Sequence, residues 1–114
     1  MSKRTTKINL LTRKIDALKR NKSALESRIN DIRFNISRAT LTSQSYEMTI
    51  NTYSRINSFS KEEIDKLQKS KDEVDEYILN ETASINKKEK ELEEAQSEIE
   101  MKEKELEEEK MEKN

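Results

Sequence analysis

The sequence contains no cysteine, histidine, glycine or proline in its 114 residues. The absence of cysteine excludes disulfides and thiolate metal sites, and the absence of histidine removes the usual neutral-pH base and the commonest metal ligand. The sequence also has no glycine-rich phosphate loop, metal constellation or nucleophile–base pair. We therefore expect a non-enzymatic protein that binds no cofactor and no metal.

The composition is rich in charge and poor in apolar residues. Charged residues make up 41% of the chain and hydrophobic residues 31%, which is too little apolar material for a thick globular core. The length allows one domain at most. No apolar run approaches the roughly 20 residues of a membrane span. The basic N-terminus also lacks the hydrophobic region and the cleavage site of a signal peptide. We therefore expect a cytoplasmic protein with no direct membrane insertion.

The net charge of −1 conceals a strong asymmetry along the chain. Residues 1–38 carry eleven Lys and Arg against three acids, a net charge of +8. Residues 39–85 carry five basic and nine acidic residues, and residues 86–114 carry seven Lys against twelve Glu. A basic beginning and an acidic end attract one another if the chain folds back on itself.

The first half of the chain carries an a/d heptad seam, in which apolar residues recur at alternating steps of three and four. This pattern is typical of helices that wind around one another. Its first ten positions are Ile8, Leu11, Ile15, Leu18, Lys22, Leu25, Ile29, Ile32, Ile36 and Ala39. The same register continues through Ser43, Tyr46, Ile50 and Tyr53. Lys22 either sets the register of the seam or simply extends its charged end to water.

A second apolar line joins the seam where the sequence becomes rich in Ser and Thr. It consists of Phe34, Leu41 and Met48, spaced by seven residues. One partner helix with a narrow seam cannot cover both lines. The line predicts either thicker packing against the chain's own returning arm or a docking surface for another protein, since aromatic residues are favoured interface anchors.

A second helix is predicted to begin at Ser60. Ser60 and Glu63 match the capping box S-x-x-E, and Phe59 with Ile64 matches the hydrophobic staple that often accompanies it. Acidic residues fill the first turn, where the positive end of the helix dipole favours them. A strong apolar series then recurs every seven residues, while its companion series becomes polar after Val74.

We therefore predict an all-α fold, a two-helix antiparallel coiled-coil hairpin formed by residues 1–114. Its arms would cover about residues 5–53 and 60–110, joined by a turn at about 54–59 in which Asn57 adopts a left-handed conformation. The competing arrangement is an unbroken parallel dimer. The predicted cap and the failure of the seam at Asn57 argue against it.

The basic residues near the N-terminus form a patch that nucleic-acid phosphates could contact. They are Lys3, Arg4, Lys7, Arg13, Lys14, Lys19, Arg20 and Lys22. Pairing with the acidic arm or with an acidic protein pore is favoured, because the chain as a whole is not basic. We expect no nucleic-acid partner.

The layout of the chain resembles the type III secretion stalk proteins, which include the YscO and InvI proteins of injectisomes and the flagellar protein FliJ. The resemblance is carried by "TKINLLTRKIDAL" near the start, an uncharged stretch, "FSKEEIDKLQKSKDEVDEYI", and a final helix rich in Lys and Glu. The likeness is closest to the InvI type of Salmonella- and Shigella-like systems, in which a similar "L-S-R-E-E-I" segment opens the second helix. It spans most of the chain in layout.

The resemblance implies a stalk that inserts into the pore of the hexameric secretion ATPase, stimulates it and links it to the cytoplasmic ring of the export gate. Some members of the family also bind secretion chaperones. Carried onto this sequence, the contacts with the ATPase pore would be Lys3, Arg4, Lys7, Arg13 and Lys14. The contacts with the export gate would be Tyr46, Tyr53, Phe59, Ile64 and Leu67. The alternatives are a generic scaffolding coiled coil that forms a dimer and, with less support, a nucleic-acid-binding helical protein.

Overall fold

The computed structural model describes residues 2–56 and 60–112. The fold is all-α, an antiparallel hairpin of two helices, which confirms the predicted fold class. Helix α1 spans Lys3–Ser54 and helix α2 spans Lys61–Met111. These bounds agree with the predicted arms to within two residues.

Helix α1 begins earlier than expected because Ser2 caps it. The Thr5 amide donates a hydrogen bond of 3.1 Å to Ser2 Oγ, and the Thr6 amide donates to the Ser2 carbonyl at 3.2 Å. A serine hydroxyl at this position satisfies one of the amides that a helix N-terminus leaves without a partner. The first turn is therefore helical from Lys3 onward.

Helix α2 begins where the capping box predicted. The Glu63 amide donates a hydrogen bond of 3.2 Å to Ser60 Oγ, so Ser60 is the N-cap and α2 starts at the next residue. Asn57 and Phe59, which were expected to form the turn and the hydrophobic staple, lie outside the described residues.

Both helices contribute to each of two compact units. The first unit combines Met1–Ile29 with Lys87–Asn114, and the second unit is Asn30–Asn86. Four buried isoleucine and leucine side chains form the core of the first unit: Leu11, Ile15, Ile29 and Ile99. Among the described hydrophobic residues of the second unit, only Ile85 is buried. The second unit therefore has the thinner core.

The heptad seam is confirmed by burial. Every seam position from Ile8 to Tyr53 on α1 is buried or half-buried. The seam position Lys22 is half-buried, but its ammonium pairs at 3.8 Å with Glu26 on the same helix. That pair lies within α1 and does not itself join the two helices.

Ion pairs between described residues join the helices in the first unit. Lys7 Nζ lies 3.2 Å from Glu109, and Lys19 Nζ lies 3.4 Å from Glu103. The earlier lysine on α1 pairs with the later glutamate on α2, as an antiparallel arrangement requires. These pairs confirm the attraction that the charge asymmetry predicted between the basic beginning and the acidic end of the chain.

Candidate binding surfaces

Two of the five cations expected to contact an ATPase pore are engaged within the first unit. Arg4 is half-buried, one step before Ile8 in the seam pattern. Lys7 is paired with Glu109, and the hydrogen bond to that carboxylate, followed by its charge, raises the pKa of Lys7 above its usual value. Both side chains therefore contribute to the hairpin itself.

The other three cations face solvent. Lys3, Arg13 and Lys14 are exposed, and none of them makes an ion pair with a described residue. Arg13 also borders a shallow depression with Thr6, Asn9 and Leu10, whose side chain is 51% exposed. Positive charge on this part of α1 is thus available to an external partner.

The residues expected to contact an export gate lie in the seam of the second unit. Tyr46, Tyr53, Ile64 and Leu67 are all half-buried at seam positions, where they help to hold the two helices together. Tyr46 and Leu67 border one groove. Phe59 lies outside the described residues. Only the outer parts of these four side chains are therefore accessible to a partner.

Tyr46 also borders a second groove between the helices of the second unit. The groove is lined mainly by small and aromatic side chains: Ala39, Thr42, Tyr46, Ser70, Val74 and Tyr77. Tyr77 was not identified from the sequence, because it lies beside the seam residue Ile78 rather than on the seam. An aromatic residue next to a seam position is the sequence feature from which Tyr77 could have been identified.

The line of Phe34, Leu41 and Met48, termed here the outer stripe, is exposed. The exposed fractions of these residues are 63%, 66% and 71%, so helix α2 does not cover them. The interpretation that the outer stripe packs against the chain's own returning arm is therefore wrong. The reason is geometric, since residues spaced by seven from Phe34 fall on the face of α1 opposite the a/d seam.

The surroundings of the outer stripe are polar but almost uncharged. Between residues 39 and 54 the only charged residue is Glu47. Five hydroxyls of this segment donate to the backbone carbonyl four residues earlier, so their hydrogen-bonding capacity is satisfied within α1. They belong to Thr40, Thr42, Thr49, Thr52 and Ser54.

A polar cluster crosses the seam in the second unit. Ser43 Oγ donates to Asp75 Oδ1 at 2.5 Å, and Lys71 Nζ donates to Asp75 Oδ2 at 2.8 Å. The Lys71 hydrogen bond, and then that of Ser43, holds the pKa of Asp75 below its usual value. Sequence reasoning missed this cluster, although Ser43 and Lys71 both break the apolar pattern at seam positions. The cluster is a hydrogen-bonded ion pair without a nucleophile or a metal-ligand set.

The described parts of the chain offer no grouping of three or more acidic side chains that could hold a metal ion. Nor does either helix, over its described residues, have the length and apolar character needed to cross a membrane.

Comparison with known proteins gives no match: no protein-family model matches the chain, and no curated protein or solved structure matches it. The functional argument therefore depends on the residues and surfaces of the two units.

Proposed function

We propose that this chain is the central stalk of a type III secretion apparatus. In this role it is a non-enzymatic hairpin that inserts into the pore of the hexameric secretion ATPase, stimulates ATP hydrolysis and links the ATPase to the cytoplasmic ring of the export gate. The proposal is supported by the likeness in layout to the stalk proteins and by the antiparallel hairpin fold.

One observation in the first unit carries the proposal furthest. Arg13 and Lys14 are exposed and have no ion pair with a described residue, whereas Lys7 and Lys19 on the same helix are neutralised by glutamates of α2. Since the whole chain has a net charge of −1, this positive charge is local rather than general. Local positive charge steers the hairpin toward an acidic surface and fixes its orientation there.

The beginning of α1 and the end of α2 both belong to the first unit, which carries the five cations that the resemblance assigns to the ATPase pore. In the proposed arrangement this unit enters the pore. The second unit supplies the contacts with the export gate ring, and secretion chaperones are further candidate partners. Its exposed outer stripe and the grooves beside Tyr46 offer apolar and aromatic anchors for such contacts.

The mechanism follows from symmetry. A single hairpin with one basic and one acidic helix is asymmetric, and inside a six-fold ring it contacts the subunits unequally. Unequal contacts favour one conformation in one subunit at a time, which couples hydrolysis to the position of the hairpin. One hairpin per hexamer is the expected stoichiometry, on the cytoplasmic side of the apparatus.

The test is the ATP turnover of a purified hexameric secretion ATPase with and without this protein. The parent chain should raise the turnover, and the Arg13→Glu/Lys14→Glu variant should abolish that effect by placing acids where cations are needed. The matched control is Lys61→Glu/Lys69→Glu, which changes the net charge equally at two exposed lysines of the second unit that make no ion pair with a described residue. It should stimulate as the parent does.

Three outcomes would contradict the stalk proposal. The first is a parent chain that leaves the turnover unchanged. The second is equal loss of stimulation in both variants, which would mean that net charge rather than position matters. The third is binding of RNA or DNA with an affinity that falls steeply as salt rises, which would favour the nucleic-acid alternative.

A further inference from the structure

We propose that the first unit contains an autoinhibitory contact, in which two glutamates of α2 compete with an external acidic partner for two lysines of α1. The glutamates are Glu103 and Glu109, which pair with Lys19 and Lys7 respectively. The contact lowers the affinity of the first unit for the partner, whose own acids replace the two glutamates when it binds. The inference rests on the proposed function, in which that partner is an acidic surface of the ATPase pore.

Both ion pairs are open to an external partner. The Lys7 side chain is 52% exposed although its ammonium lies 3.2 Å from Glu109. The Lys19 side chain is 55% exposed although its ammonium lies 3.4 Å from Glu103. A lysine ammonium has three hydrogen-bond donors, and a single carboxylate oxygen does not occupy all of them. A second acceptor can therefore reach either ammonium without separating the helices.

The ion pair of the second unit is enclosed by comparison. Lys71 Nζ lies 2.8 Å from Asp75, and the Lys71 side chain is only 20% exposed. Asp75 also accepts a hydrogen bond from Ser43, which fixes its carboxylate. The side chains of Lys7 and Lys19 are more than twice as exposed as that of Lys71, and their distances exceed those of strong charge-assisted hydrogen bonds. The glutamates therefore hold these two lysines less firmly.

The strength of exposed ion pairs decides the competition. A pair between two solvent-exposed charges contributes little free energy, because water and salt screen it. An acidic surface that presents several carboxylates to one region attracts a lysine more strongly than a single glutamate does. Such a surface can therefore displace Glu103 and Glu109, but it must first overcome their attraction for the lysines.

Lys7 belongs to a surface that an external partner can already contact. Lys14 follows it by seven residues, and this spacing places both residues on the same side of α1. Lys14 is exposed and makes no ion pair with a described residue. Glu109 therefore neutralises a charge that would otherwise extend the positive surface around Lys14.

The first test measures binding of the full chain to a fluorescein-labelled polyglutamate peptide by fluorescence anisotropy. Glu103→Gln/Glu109→Gln should lower the dissociation constant about fivefold, since two lysines lose their internal partners. The matched control is Glu107→Gln/Glu108→Gln, which removes two negative charges at exposed positions that make no ion pair with a described residue. It measures the general effect of lost negative charge and should lower the dissociation constant by about twofold at most.

Two outcomes of this measurement would overturn the autoinhibitory contact. One is an equal gain in affinity in both variants, which would make net charge rather than position the cause. The other is a complete lack of binding by the parent and both variants, since the paired lysines would then be closed to an external acid. Both variants should retain the circular dichroism spectrum of the parent, because glutamine and glutamate have similar helix propensities.

Removing the lysines provides a second, independent measurement. In a chain that carries Lys7→Gln/Lys19→Gln, the change Glu103→Gln/Glu109→Gln should improve binding of polyglutamate no more than the control change does. The reason is that this chain has no paired lysine left to release. A full gain in affinity that persists without the two lysines would show that the glutamates act elsewhere, and it would overturn the proposal.

The secretion ATPase separates this inference from the stalk function itself. Glu103→Gln/Glu109→Gln should reach half-maximal stimulation of ATP turnover at about one-fifth of the parent's concentration, with the same maximal turnover. If the parent stimulates and this variant needs the parent's concentration, the stalk function stands and the autoinhibitory contact is overturned. If no chain stimulates but the gain on polyglutamate persists, the stalk function fails and the contact regulates binding to another acidic surface.

Discussion

Ser43 Oγ donates a hydrogen bond of 2.5 Å to Asp75 Oδ1 and thereby joins the two helices across 32 positions of sequence. Ser43 is only 8% exposed, at a seam position where the heptad pattern otherwise places apolar residues. Apolar contacts are not directional, and several registers of a heptad seam bury similar areas. A directional bond at one level favours one register, because a slipped arrangement leaves the serine hydroxyl buried without its partner.

Removing this hydroxyl should weaken the second unit. We expect Ser43→Ala to lower the free energy of unfolding by about 1 kcal/mol, since it removes a hydrogen bond to a charged acceptor from the seam. Urea unfolding followed by circular dichroism measures the change. Ser45→Ala, at an exposed position two residues along the same helix, should leave the free energy unchanged. Identical unfolding midpoints for Ser43→Ala and the parent would contradict the role given to this bond.

The same cluster should make stability depend on pH. The hydrogen bonds from Lys71 and then Ser43 lower the pKa of Asp75 below its ordinary value of 3.8 in the folded chain. At acid pH the unfolded chain therefore binds more protons at this carboxyl than the folded chain does. The stability that the carboxylate supplies is complete above its ordinary pKa and is lost as the pH falls through the lowered folded value.

The Asp75→Asn variant isolates this contribution. The parent should be more stable than the variant at neutral pH, and the difference between their unfolding midpoints should shrink as the pH falls below 3.8. The matched comparison is Asp72→Asn, an exposed carboxylate one turn earlier on α2. A difference between parent and Asp75→Asn that stays constant down to the acid end would exclude the linkage.

The helices could be predicted from the sequence because their signals are local and periodic. The seam from Ile8 to Tyr53 requires only that apolar residues recur at steps of three and four, and Ser60 with Glu63 forms a cap within one turn. The first turn of α1 was missed because Ser2 is followed at the third position by a threonine rather than the glutamate or glutamine of a capping box.

The candidate surfaces could be predicted only in part, because exposure depends on which face the second helix covers. The outer stripe was visible as Phe34, Leu41 and Met48, but the sequence left open whether α2 would reach it. The bond between Ser43 and Asp75 links positions 32 residues apart, and its existence depends on the register between helices. No periodicity within one helix contains that information.

The cap at Ser60 should contribute measurably to the stability of α2. We expect Ser60→Ala to lower the free energy of unfolding by about 1 kcal/mol, because the Glu63 amide loses its acceptor at the helix N-terminus. Ser60→Asp should retain most of the parent stability, since a carboxylate accepts the same hydrogen bond and interacts favourably with the helix dipole. Equal stability of the Ala and Asp variants would show that the cap is not needed.

The core of the first unit should depend strongly on Ile99, which is 2% exposed. Ile99→Ala should lower the free energy of unfolding by about 2–4 kcal/mol, through the lost apolar burial and the cavity left behind. Met101→Ala, two residues further along α2, changes a side chain that is 71% exposed and should have little effect. Chemical unfolding of both variants measures the difference, and a similar loss in both would mean that Ile99 has no special place in the core.

The second helix limits the stability of the second unit, because polar residues occupy part of its seam. Glu81 is half-buried at a seam position, and the antiparallel register sets it about level with the half-buried Ile36. Glu81→Leu should raise the free energy of unfolding by about 1 kcal/mol by extending the apolar contact between the helices. Glu76→Leu, at an exposed position on the same helix, removes the same charge without adding to the seam and should not stabilise the chain. If both variants raised the urea midpoint equally, relief of negative charge rather than burial at the seam would be the cause.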